Sequence, residues 1–241
     1  MKPSHLFPCL ALLLLSACQL EDPQAGLITE DIIDLAAADS VILADGESLV
    51  VLTSILGPGA DPNLDVTFSA NAGSFETSTG PQSSFTRRAS GREAEAILVA
   101  GTQVSPRVRI GASVSGTEAN ENYTFKDEEI IRFARAYPER LELALSEAEV
   151  QATSGVTLSL ELGRQRGTVS DGTEVLFQAQ FQGEEGLNLE LPNSFVVDSE
   201  TGTVSIINPD TLTGEARITA FVLDEEGDTA VVNRVSLSVL R

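Results

Sequence analysis

Past residue 36 the apolar positions along the chain recur every second residue. Val156, Leu158, Leu160 and Leu162 alternate with Thr157, Ser159 and Glu161. Val175, Phe177, Ala179 and Phe181 alternate with Leu176, Gln178 and Gln180, and Val108, Ile110, Ala112 and Val114 with Arg107, Arg109 and Ser113. Side chains on a strand point to opposite faces in turn, so each series predicts one buried face. Turn-forming stretches separate the runs: ADGES, GPGADPN, ANAGS, DSETG and DEEGD. Short strands at this spacing, with little helical periodicity, predict an all-β fold built as an antiparallel sandwich.

The pattern occurs twice. DVTFSA at 65–70 aligns with EVLFQA at 174–179, and PRVRIGASV at 106–114 with GEARITAFV at 214–222, at offsets of 109 and 108 residues. A near-constant offset places equivalent strands in two copies of one domain. Closing strands are expected at Ile131 and Phe133 in the first copy, and at Val235, Leu237 and Val239 in the second. The first domain is expected over 37–134 and the second over 137–241, with the boundary at RAYPERLEL. Pro138 disfavours helix there and permits a short extended connector. So short a connector predicts two tandem domains, end to end, with limited bending.

VILADGESLVVLTSIL, DVTFSANAGSF and PRVRIGASVSG resemble a bacterial immunoglobulin-like domain of the invasin/intimin type. The likeness rests on the Asp45-Gly46 turn, a long second strand, Val66-x-Phe68 followed by Gly73, and a late strand before the closing one. It spans roughly 37–133. The second copy resembles the same broad fold less closely, with SEAEVQATSG in place of the ADG turn. Its FVVDSETGTVSI is similar to a cadherin F-x-x-D-x-x-T-G-x-V segment, though the other acidic calcium motifs of cadherins are missing. The resemblance implies tandem Ig-like sandwiches serving as a spacer or adhesive module at a cell surface. It implies no particular receptor: binding in that family usually sits in extra terminal domains, and this chain ends at Arg241 with its last expected strand.

The N-terminus has a different pattern. Lys2 precedes an apolar run from Leu6 to Leu15, broken only by Pro8. A membrane-spanning helix needs ~20 apolar residues, so the run suits a secretory signal over residues 1–17. Leu15-Ser16-Ala17-Cys18 resembles a bacterial lipobox, which implies cleavage before Cys18 and transfer of diacylglycerol to its thiol. The alternative is an ordinary signal peptide beside a chance cysteine. Gln19 stands where aspartate commonly signals inner-membrane retention, which favours the outer membrane. Residues 18–36 read as a lipidated cysteine and acidic tether, although Ile28, Ile32, Ile33 and Leu35 are spaced to line one side of a short helix.

Composition narrows the chemistry. Removing 1–17 leaves a length suited to two domains of ~100 residues. The two cysteines are Cys9, lost with the signal, and Cys18, so no disulfide is expected. The single histidine, His5, leaves with the signal and there is no tryptophan. His-dependent and thiol-dependent catalysis are thereby excluded. Paired carboxylates at Asp127-Glu128-Glu129, Glu184-Glu185, Asp198/Glu200 and Asp224–Asp228 are the remaining enzymatic option. They fall in or beside expected turns, where carboxylates keep ordinary acidity, so no enzyme activity is expected. With 36 acidic and 15 basic residues the formal net charge is −21, which argues against nucleic acid. The acidic turns could alternatively bind calcium through Asp224, Glu225, Glu226 and Asp228, or through Asp198 and Glu200. Arg87, Arg88, Arg92, Arg107 and Arg109 are expected on outward strand faces, moderating like-charge repulsion and discouraging edge pairing. The function expected is non-enzymatic: a lipid-anchored envelope protein acting as an adhesive or structural spacer, with an unidentified protein or surface-polymer partner. The alternatives are a periplasmic accessory lipoprotein docking onto a larger envelope complex, and a calcium-stiffened adhesive module.

Overall fold

The computed structural model describes residues 32–118, 121–151, 153–182, 189–198, 200–208 and 213–240. The lipobox residues Leu15, Ser16, Ala17 and Cys18, and the Glu184-Glu185 pair, lie outside the described residues. The protein is all-β, and its strands build two Ig-like sandwiches, each around its own apolar core.

The first sandwich comprises β1 (Ile33–Ala37), β2 (Val41–Leu43), β3 (Leu49–Leu56), β4 (Asp65–Ala70), β5 (Ser74–Thr77), β6 (Gly80–Gln82), β7 (Ser84–Arg88), β8 (Glu93–Val99), β9 (Ser105–Glu118) and β10 (Glu121–Ala134). One sheet runs β1-β3-β8-β5-β6 and the other β2-β10-β9-β4-β7. The inward residues are those the alternation marks, among them Val50 and Leu52 from β3, Val66 and Phe68 from β4, and Val108 to Val114 from β9. Phe68 and Phe75 meet across the core with ring centroids 6.5 Å apart.

The second sandwich comprises β11 (Arg140–Leu145), β12 (Glu149–Gln151), β13 (Gly155–Gly163), β14 (Thr173–Gln182), β15 (Ser194–Val197), β16 (Thr201–Ile207), β17 (Gly214–Leu223) and β18 (Thr229–Leu240). Its sheets run β11-β13-β16 and β12-β18-β17-β14-β15. The repeat seen in the sequence is therefore a repeat of topology. β4, β9 and β10 adjoin in the first copy as β14, β17 and β18 do in the second, and a short strand pairs parallel with the closing strand in each.

Two expectations change. The first sandwich begins earlier than 37, inside the stretch read as tether: Ile32, Ile33 and Leu35 are core residues, and β1 pairs antiparallel with β3 from Ile33↔Leu56 to Ala37↔Leu52. Ile33 and Leu35 share a face at the strand period rather than one side of a helix. Asp127 on β10 accepts the Leu35 N–H at 2.8 Å, fastening this edge strand to the opposite sheet. In the second sandwich, the buried face of β14 does not extend to Phe181, which is 38% exposed at the strand end.

Candidate functional site: the joint and the acidic turns

Polar groups of both domains converge where the two sandwiches meet. Residues 135–139 connect β10 to β11, and the turn at Ala44-Asp45-Gly46 abuts the segment 167–171 of the second domain. Thr168 donates its N–H to the Asp45 carbonyl at 2.8 Å and its hydroxyl to the same oxygen at 3.0 Å. The Ser170 hydroxyl donates to the Ala44 carbonyl at 2.7 Å and accepts the Ala136 N–H at 2.8 Å, while its own N–H donates to the Ala136 carbonyl at 3.1 Å. Asp171 donates its N–H to the Thr102 carbonyl at 2.9 Å and accepts the Thr102 hydroxyl at 2.7 Å. At the rim, the Arg132 guanidinium donates to both carboxylate oxygens of Glu225 at 2.7 and 2.9 Å.

The bonds made by the Ser170 hydroxyl are formed out of water, those of Thr168 and Asp171 are partly buried, and the Arg132–Glu225 pair is exposed. Asp45, Ser170 and Thr173 are among the few buried polar residues, Ser170 with 1% of its surface exposed. A buried donor or acceptor that loses its partner costs ~1–3 kcal/mol, so the Ser170 bonds act to hold the two domains in one relative orientation. Gly167 explains why the fit is close. Its φ is +68°, and a Cβ at this position would lie 2.8 Å from Asp45 Cγ and 2.9 Å from the Asp45 carbonyl oxygen. Only glycine allows both that conformation and that approach.

Asp45 organises its own turn. Its carboxylate accepts the N–H groups of Glu47 and Ser48 at 3.0 and 2.6 Å and the Ser48 hydroxyl at 2.9 Å. Burial by itself would raise its pKa. The bonds from Ser48 and Glu47, with the Arg164 charge, outweigh burial and hold the carboxyl below its usual range. Arg164 comes from the second domain, where it donates to the Tyr137 carbonyl at 2.6 Å. Burial raises the Tyr137 phenol, and the negative charge of Glu225 adds to that shift.

The structure gives the acidic residues different surroundings. Asp224 accepts the N–H groups of Glu226 and Asp228 at 3.1 and 2.8 Å, which shapes its turn, and Glu225 is engaged by Arg132. Asp198 and Glu200 lie at the other turn, between β15 and β16. Among the described residues no three Asp, Glu, His or Cys side chains are gathered closely enough to hold a metal ion between them. Asp127, Glu128 and Glu129 are not beside a turn but within β10. The hydrogen bond and charge of Lys126, 2.5 Å away, hold Glu128 below its usual range.

Four of the five arginines are exposed, as the strand pattern implies. Arg107 and Arg109 sit on the outer face of β9, Arg88 stands opposite Asp65, and Arg87 donates to the Glu95 carbonyl at 3.2 Å. Arg92 departs from the expectation. With φ +77° it turns its guanidinium onto the Leu56, Gly57 and Ala60 carbonyls, clamping the loop after β3. Sequence reasoning missed the joint itself. Its one local signal was Asp45-Gly46, read there as a family feature of a single domain.

The fold has solved counterparts. The adhesin InvE of Yersinia pseudotuberculosis is similar over 88% of this chain and 60% of its own, at 17% identity and a TM-score of 0.58. This chain thus spans about three-fifths of that structure's length. Invasin, a bacterial integrin-binding protein, is similar over 88% of this chain and 41% of its own, at 17% identity and a TM-score of 0.44. The Escherichia coli adhesin FdeC is similar over 87% of this chain and 64% of its own, at 12% identity and a TM-score of 0.40. No protein-family profile matches the chain. No curated protein matches it in sequence.

Proposed function

We propose that this chain is a non-enzymatic, lipid-anchored protein of the bacterial envelope whose two Ig-like sandwiches form a stiff spacer holding an adhesive surface away from the membrane. The observation that carries the reading is the joint. A spacer transmits position only if its segments keep one orientation, and the buried Ser170–Ala44 bond, with the partly buried bonds of Asp45 and of Thr102 to Asp171, acts against bending. The fold shared with the Yersinia adhesin makes adhesion the first role to test. The anchor rests on Leu15-Ser16-Ala17-Cys18 and its resemblance to a lipobox. A diacylglycerol with a further acyl chain anchors firmly, because each buried CH2 contributes ~0.8 kcal/mol.

The absence of catalysis is part of the proposal. A general acid needs a carboxyl whose pKa is raised, whereas hydrogen bonds and neighbouring charge lower those of Asp45 and Glu128.

The test is fractionation with protease treatment of intact cells, beside Cys18→Ala. The reading expects wild type in the outer membrane and protease-accessible from outside, and Cys18→Ala released into the soluble fraction. Membrane retention of Cys18→Ala contradicts the anchor. Protection in intact cells contradicts outward display and moves the search for partners to the periplasm.

A further inference from the structure

The strands at the edges of the sheets are protected unequally. Among edge strands of five or more residues, β1 carries Asp34, β7 carries Arg87 and Arg88, and β11 carries Arg140 and Glu142. β16, Thr-Gly-Thr-Val-Ser-Ile-Ile, has no charge and no proline. An edge strand exposes unpaired N–H and C=O groups, and proteins ordinarily blunt it with charge, proline or a covering segment. In the first sandwich, β5 pairs with the end of β8, and the Arg87 guanidinium caps the Glu95 carbonyl farther along. The short edge strand there, β6, carries Pro81.

β16 has neither charge nor proline. It pairs with β13 from Glu161↔Thr201 to Gly155↔Ile207. Among the described residues its other side is bridged only at Ile207, which exchanges hydrogen bonds with Glu190 at 2.7 and 3.2 Å. From Thr201 to Ile206 that side has no strand partner among the described residues. The Phe195 ring lies against Gly202, and Phe195 and Leu191 remain only partly buried on the core side. An incoming strand would find backbone partners along β16 and an apolar floor for alternate side chains. That is the requirement for recognition by strand addition.

Charge selects the occupant. Asp198 and Glu200 stand before Thr201, Glu190 stands at Ile207, and no ion pair engages any of the three among the described residues. The uncharged edge is therefore bracketed by acid at both ends. A second copy adding its own β16 antiparallel would bring acid onto acid. We propose that β16 is a docking edge for an extended segment of a partner protein, β-branched and uncharged at its centre and basic at both ends. This assignment stands apart from the lipid at Cys18 and from the stiffness of the joint.

The test uses the full chain, 15N-labelled and held in detergent, with a synthetic probe: a peptide of three Thr-Val repeats flanked by two lysines at each end. The expected result is amide shifts and slowed exchange confined to β16 and its neighbours. The same peptide with glutamates for lysines should bind about tenfold more weakly or worse. Thr203→Lys, at an exposed side chain, should abolish binding and leave the remaining spectrum unchanged, while Thr203→Ser retains it. Three results overturn the proposal: no β16 shift at millimolar peptide, equal binding of the glutamate peptide, or sedimentation showing a dimer that Thr203→Lys dissociates. The last assigns the edge to a second copy.

Discussion

The two sandwiches share a plan and differ in how it is closed. In the first, β3 sends Val50, Leu52, Ser54 and Leu56 inward; in the second, β13 sends Val156, Leu158, Leu160 and Leu162. The first guards its flank with a hairpin, Pro81 and the Arg87 cap, and joins its Ala44-Asp45-Gly46 turn to the neighbouring domain. Among the described residues the second has three strands rather than five in the corresponding sheet. At the corresponding turn it has Thr153 with φ +65° instead of an Asp-Gly pair. Copies of one fold need only their inward series in common. The turns and edges outside that series are free to diverge, and here they separate a docked end from an edge that has no strand partner from Thr201 to Ile206 among the described residues.

The joint gives the largest expected effect. Gly167→Val forces a β-branched side chain into a left-handed backbone conformation against Asp45, at a cost of about 3 kcal/mol or more. Calorimetry should show one cooperative transition in wild type and two in the variant, one for each sandwich; a single unchanged transition would mean the domains do not depend on this contact. Ser170→Ala leaves the Ala44 carbonyl and the Ala136 N–H without their buried partner and should cost about 1–3 kcal/mol in chemical denaturation. The loss should fall on the coupling between the domains rather than on either core.

A smaller effect is expected from pH. The folded pKa of Asp45 is depressed, so its contribution to stability is fully present above the unfolded value of ~3.9 and is lost as pH falls through the folded value. Asp45→Asn should lower stability at neutral pH and flatten its decline below pH ~4. A stability profile in acid identical to wild type would contradict the assigned role. The smallest change sharpens the comparison of the two cores. Ser54 is fully buried and its hydroxyl has no partner among the described residues, whereas the second copy places Leu160 there. Ser54→Ala should stabilise the first sandwich by about 1 kcal/mol in denaturant titration, by removing an unsatisfied group.

The strand pattern was legible because its signal is local: each inward series repeats at two residues, and the offset between copies survives in the residues themselves. The start of the first domain was less legible. Ile32, Ile33 and Leu35 fit more than one periodicity, and the flanking acids suggested a solvated tether. The joint was illegible for a different reason. Thr168 meets Asp45 across 123 positions, largely through backbone carbonyls, which any residue supplies. Glu225 resembled its solvated acidic neighbours, since its partner Arg132 lies 93 positions away on another domain.

15N relaxation of the full chain decides whether the joint makes the two sandwiches one rigid body. A rigid joint gives one anisotropic diffusion tensor that fits the amides of both β9 and β17, together with the same domain orientation from residual dipolar couplings. Separate, faster tumbling of each sandwich would contradict it.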